Sequence, residues 1–137
     1  MSLTEGVVAD THAFIWYLRD DDQLSRSAAE AMDAATDSGQ PIVISAVTVV
    51  ELRYLVEKGT FTPEEFQALT GVLGVIDSAF EVAPVDLDVA LAVGQVPRDA
   101  VRDPWDRMIA ATAISLGLSL VTRDTKLAGL RTPSTLW

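Results

Sequence analysis

Four carboxylates in this chain sit where they could do chemistry: Asp10, Glu51, Asp106 and Asp124. Asp10 ends the apolar run GVVAD and is followed by Thr11 and His12. Asp124 lies just beyond LSLVT, after Thr122 and Arg123. Glu51 lies within AVTVVELRYLV, where Val47, Thr48, Tyr54 and Leu55 are its neighbours one helical turn away. That stripe is mostly apolar, and an ionised carboxylate on a packed face is costly unless something compensates it. Asp106 opens the helix of RDPWDRMIAATA, and its row continues through Ala110 and Ala113, which allows close approach to a sheet.

Each acid also has a plain structural reading. Asp10 can cap a helix, Asp124 can be turn chemistry, Asp103 before Pro104 is a natural N-cap, and Glu51 or Asp106 can pair with a buried arginine. Together these readings weaken, because two acids follow strand ends and two lie on helix faces that should pack against that edge. If the four converge, they repel by about 4 kcal/mol per pair at 4 Å and an effective dielectric near 20. Protonation or a divalent cation relieves this. An all-oxygen set with no cysteine and one histidine suits Mg²⁺ or Mn²⁺ rather than zinc.

The elements that must position these acids are legible in the pattern. GVVAD (6–10), PIVIS (41–45) and LSLVT (118–122) read as buried strands, with FEVAPV (80–85) as a fourth and the terminal TPSTLW as a possible edge strand. Helices are predicted over 12–19, 25–36, 46–58, 62–76, 86–96 and from Asp103–Pro104 to Gly117. Ser25 or Ser27, Ser45, Thr62 and Asp86 serve as candidate N-caps. Alternating short strands and helices imply an α/β fold: three layers, α/β/α, around a central, mostly parallel sheet of four to five strands. The expected organisation is a single domain over residues 1–137.

Composition narrows the function classes. The absence of cysteine excludes a disulfide framework and a thiol nucleophile. No apolar run approaches the roughly 18 residues of a membrane span, and no secretory signal is visible, so a cytoplasmic protein is expected. The net charge of −10 argues against a non-specific nucleic-acid binder. Residues 98–131 nevertheless hold six basic and four acidic residues, leaving room for a local basic patch. Lone His12 reads as a structural or supporting residue without a catalytic role; Trp16, Tyr17 and Trp105 could stack on nucleotides, with core packing the default for all three.

Taken in order, VVADTHAFIWYL, SAVTVVELRYLVEKG and RDPWDRMIAATAISLGLSLVTRD resemble the PIN-domain family, and within it the toxin ribonucleases of VapBC-type toxin–antitoxin pairs in the subgroup reading DTH. The resemblance covers nearly the whole chain. It implies a metal-dependent endoribonuclease that cleaves a structured RNA through Mg²⁺- or Mn²⁺-assisted hydrolysis at Asp10, Glu51, Asp106 and Asp124. It further implies supporting positions at Thr11, Asp103 and Thr122, a homodimer, and a cognate antitoxin. Arg102, Arg107 and Arg123 become candidates for contacting phosphate or antitoxin acids, with Arg107 alternatively bracing an acid. One departure is Val101, where related sequences often carry a histidine, and Trp105 replaces a usual phenylalanine. Competing readings are a catalytically silent binding module and another Mg²⁺-dependent phosphohydrolase.

Overall fold

The computed structural model describes residues 6–137. Its strands are β1 (Val7–Ala9), β2 (Ile42–Ser45), β3 (Phe80–Ala83), β4 (Ser119–Val121) and β5 (Thr135–Leu136). They form one sheet in the order β3-β2-β1-β4-β5, with every pairing parallel. The expected mostly parallel sheet is thus wholly parallel, and TPSTLW does supply its edge strand. The helices are α1 (Thr11–Leu18), α2 (Arg26–Asp37), α3 (Ala46–Glu57), α4 (Pro63–Thr70), α5 (Leu87–Ala92), α6 (Pro104–Leu116) and α7 (Thr125–Ala128).

The central strands β1 and β2 are buried at every position because both sheet faces are covered there. Side chains alternate between those faces. Val7, Ala9, Ile42, Ile44 and Val121 pack with Phe14 of α1, Met32 of α2, Leu52 of α3 and Leu69 of α4. Val8, Val43 and Leu120 point the other way, onto Ile109, Ala110 and Ala113 of α6. The small residues at 110 and 113 are fully buried, which is how α6 comes close to the sheet. Val101 is in the same cluster, 1 % exposed, so that position offers nothing to a substrate.

Side-chain caps start the helices where the sequence signals them. Ser25, Ser45, Thr62, Asp86 and Asp103 each accept a backbone N–H at a helix start, and Thr62 with Glu65 completes a capping box. Three boundaries differ from expectation. The helix begun at Pro63 stops at Thr70 rather than reaching 76. Gly71 and Gly74 weaken its continuation, and Val75 and Ile76 lie out in solvent with no core to gain from helix. The helix begun after Asp86 ends at Ala92 and passes into a 3₁₀ turn at Val93–Gln95. α7, one turn long, follows β4 and was not anticipated. Among the described residues no helix is long and apolar enough to cross a membrane.

The topology itself points to a site. From β1 the chain steps outward through β2 to β3, then returns to the other side of β1 for β4 and β5. The order therefore reverses between β1 and β4. In open parallel sheets the crevice beyond the strands' carboxyl ends at such a reversal is where ligands bind. Asp10 follows β1 and Asp124 lies just past β4 at that crevice, and the Asp10 N–H donates to the Val121 carbonyl (3.1 Å).

Candidate active site

A cavity of about 400 Å³ opens at this point, lined by Asp10, Thr11, His12, Trp16, Glu51, Asp103, Asp106, Arg123 and Asp124. All four acids singled out in the sequence face it, with Asp103 as a fifth. The capping and site readings prove compatible. Asp10 caps α1 through the Ala13 N–H (2.8 Å), Asp103 caps α6 through the Trp105 N–H (2.8 Å), and Asp124 caps α7 through the Lys126 N–H (2.8 Å). Helix N-termini thus meet at the acidic cavity, and their exposed N–H groups offset part of its negative charge.

Glu51 reaches the cavity from α3 and is held by a relay of hydroxyls. Thr11 donates to Glu51 Oε1 (2.8 Å), and its oxygen lies 3.0 Å from that of Thr48. A threonine hydroxyl has one proton. With that of Thr11 committed to Glu51, the proton between the threonines is Thr48's. Thr11 and Thr48 are buried, 3 % and 0 % exposed, so the relay is sealed from competing water. Sequence reading named Thr11 but gave Thr48 no role. Its only signal was a hydroxyl one turn before Glu51 on an otherwise apolar stripe.

Thr122 plays the corresponding part between the first and last acids. Its buried hydroxyl hydrogen-bonds the Asp10 carboxylate and its oxygen accepts the Asp124 N–H (3.1 Å). The support foreseen for the last acid therefore extends to the first.

Burial and crowding raise the pKa of three of these carboxyls above its ordinary value. Asp10 is pushed up mainly by burial, opposed by the bonds from Thr122 and Ala13 and by His12, with Asp124 adding to the rise. Glu51 is pushed up by burial, opposed by Thr11, with Asp103 and Asp10 adding to the rise. Asp106 is raised to about 7, by burial first and then by the charges of Asp103, Asp124, Glu51 and Asp10. Proximity to four other carboxylates is the part of this that sequence cannot show.

Two arginines lie outside the cavity lining. Arg107 contacts neither the cavity nor an acid. Its guanidinium turns back to the end of α5 and the turn after it, donating from Nε to Val96 O (3.1 Å) and from Nη2 to Val96 O (2.8 Å) and Val93 O (3.2 Å). The Val93 carbonyl already accepts the Val96 N–H (3.0 Å), whereas the Val96 carbonyl takes its side-chain donors from the guanidinium fork. Arg102 is exposed and is not among the residues lining the cavity. Arg123 does line it, with its guanidinium 5.2 Å from the ring of Trp16.

The donor chemistry of the cavity is entirely oxygen, which suits a hard divalent cation. Among the described residues, however, no three or more Asp, Glu or His side chains are gathered closely enough to hold a metal ion as they stand. The hydrogen bonds give the reason: three of the acids are turned to cap helices and Glu51 is tied to Thr11. Their mutual repulsion also favours separation, which a bound divalent cation would offset.

A family model described as PIN domain matches residues 7–132. The chain is 30 % identical over 136 residues to Ribonuclease VapC22 of Mycobacterium tuberculosis, covering 96 % of this chain and 98 % of that one. It is 35 % identical over 98 residues to a tRNA(fMet)-specific endonuclease VapC of Shigella flexneri, covering 65 % and 71 %. Among solved structures, a DNA-bound VapBC from Salmonella typhimurium superposes with a TM-score of 0.68 at 26 % identity, over 98 % of this chain and 97 % of that one.

Proposed function

This chain belongs to the PIN-domain family, and from that premise we propose that it is a divalent-metal-dependent endoribonuclease, the toxin of a VapBC-type toxin–antitoxin pair. The observation that carries the reading is the meeting of Asp10, Glu51, Asp106 and Asp124 in one cavity at the reversal point of the sheet. Those four carboxylates would hold Mg²⁺ or Mn²⁺, and Asp103 lies on the same wall.

When bound, the ion supplies Lewis acidity, polarising the phosphodiester and easing loss of a proton from water near neutral pH. The protein's own residues prepare that chemistry. Thr11 fixes the Glu51 carboxylate, and Thr122 with the Ala13 N–H fixes Asp10. Such supporting bonds orient donors before any ligand arrives. Asp106, its carboxyl raised to about 7 by burial and its neighbouring acids, would be held ionised by the cation.

The relative from Shigella flexneri is named for cleavage of a tRNA, which supports a structured RNA as the substrate class. The Salmonella typhimurium complex supports an antitoxin partner, and we extend the same reading to a homodimer.

The test is cleavage of total RNA by the purified protein with MgCl₂, with MnCl₂ and with EDTA, the cut ends being mapped. Cutting at defined positions is expected with either metal and none with EDTA. Asp10→Asn and Asp124→Asn are each expected to lower the rate at least about a hundredfold, the upper end for losing support at a metal site. Cleavage persisting in EDTA, or undiminished in Asp10→Asn, overturns the proposal. Absence of any cut RNA favours the silent binding module instead.

A further inference from the structure

One wall of the acidic cavity carries no carboxylate. His12 and Trp16 lie one turn apart on α1, with ring centroids 5.4 Å apart and planes tilted by 41°. Arg123 lays its guanidinium 5.2 Å from the Trp16 ring. All three line the cavity, and His12 and Arg123 are exposed while Trp16 is half-buried. Behind them Trp137 meets Trp16 edge-on (6.0 Å), and both indoles rest on the core. The wall is therefore a planar imidazole and a planar guanidinium, each braced on an indole that is itself anchored.

We propose that this wall is a nucleobase subsite, on which an unpaired base stacks beside the bond to be cut. The inference rests on the ribonuclease reading and deepens it by assigning how the substrate is held. Three observations carry it.

First, the cavity lining has five carboxylates and only Arg123 as a full cation, so it repels a phosphate backbone. A bound cation would offset part of that repulsion, and stacking adds attraction that needs no charge. Second, histidine rings and arginine guanidinium planes are the surfaces on which splayed-out RNA bases stack. Arg123 keeps its guanidinium 5.2 Å from the Trp16 ring, a contact that a purely phosphate-binding arginine does not require. Third, His12 is two residues from Asp10, and Arg123 adjoins both Thr122 and Asp124. A base on this wall brings its own phosphodiester to the acids. The subsite accepts any base by its flat face, so it selects for unpaired nucleotides, such as those of a loop, rather than for a sequence.

The experiment uses a single-stranded hexaribonucleotide with one 2-aminopurine among uridines, whose fluorescence is quenched on stacking. It is titrated into the full chain carrying Asp106→Asn so that it is bound but not cut. Quenching is expected in this background. His12→Ala with Arg123→Ala should abolish it and weaken binding roughly tenfold or more, as loss of a stacked base does. Both residues are exposed, so the fold is not at stake, and circular dichroism checks this.

Arg123→Lys keeps the charge but loses the plane, and should restore neither quenching nor affinity. His12→Phe keeps a flat ring and should retain most of both. Unchanged quenching and affinity in the double variant, or full recovery with Arg123→Lys, overturns the subsite. If the parent cuts RNA with Mg²⁺ while the double variant stacks the probe normally, only the subsite falls. If no form of the protein binds or cuts RNA, the ribonuclease reading falls with it.

Discussion

Asp106→Asn should make the protein more stable while it destroys activity. The carboxyl of Asp106 is raised to about 7 from an ordinary 3.8, by burial first and then by four neighbouring acids. A carboxyl whose folded value is raised keeps its proton in the folded state at a pH where the unfolded chain has released it. The penalty is absent below about pH 4, grows between about 4 and 7, and is complete above that. At 1.36 kcal/mol per unit, the full shift corresponds to about 4 kcal/mol as a ceiling. The side chain is only half-buried, and solvent screening reduces this to roughly 2 kcal/mol.

Asparagine has nearly the same shape and no charge, so it escapes that penalty. For a chain of this size, roughly 2 kcal/mol is a rise of roughly 6 °C in Tm. Thermal melts of parent and variant at pH 5 and pH 8 measure it. The variant should lead clearly at pH 8 and much less at pH 5. Added Mg²⁺ should raise the parent's Tm more than the variant's, because only the parent keeps the full donor set. A variant no more stable than the parent at pH 8, or a lead that is the same at both pH values, refutes the reasoning.

Two further outcomes follow from the hydrogen bonds. Arg107→Ala should cost about 2 kcal/mol in urea unfolding, because it strands the Val96 carbonyl and removes the second donor to that of Val93. It should leave the salt dependence of RNA binding unaltered, whereas a phosphate-contacting arginine would lower that slope by about one. Thr11→Val should leave Glu51 and Thr48 without their shared partner and lower kcat/KM about 10- to 100-fold, with Thr11→Ser recovering most of the loss. An unchanged kcat/KM in Thr11→Val would show that the relay does not position Glu51.

By itself, the sequence determined whatever is written in neighbouring residues. Apolar runs bounded by glycine and proline specified the strands, and Ser45, Thr62, Asp86 and Asp103 marked helix starts, because a cap acts within three residues of itself. The acids at strand ends were visible for the same reason, and alternating strands and helices made parallel packing the only economical arrangement. Helix ends were less legible where no cap or core contact enforced them, as at Thr70 and Ala92.

Tertiary structure alone decided which distant groups meet. It ran the hydroxyl relay from Thr48 through Thr11 to Glu51, sent Arg107 to two carbonyls rather than to phosphate, and laid Arg123 against Trp16. It also raised Asp106 so far, because a carboxyl's proton affinity depends on the water it has lost and the charges around it, whatever their place in the chain. Local propensity needs only adjacent residues. Electrostatics and hydrogen-bond partnership need the fold.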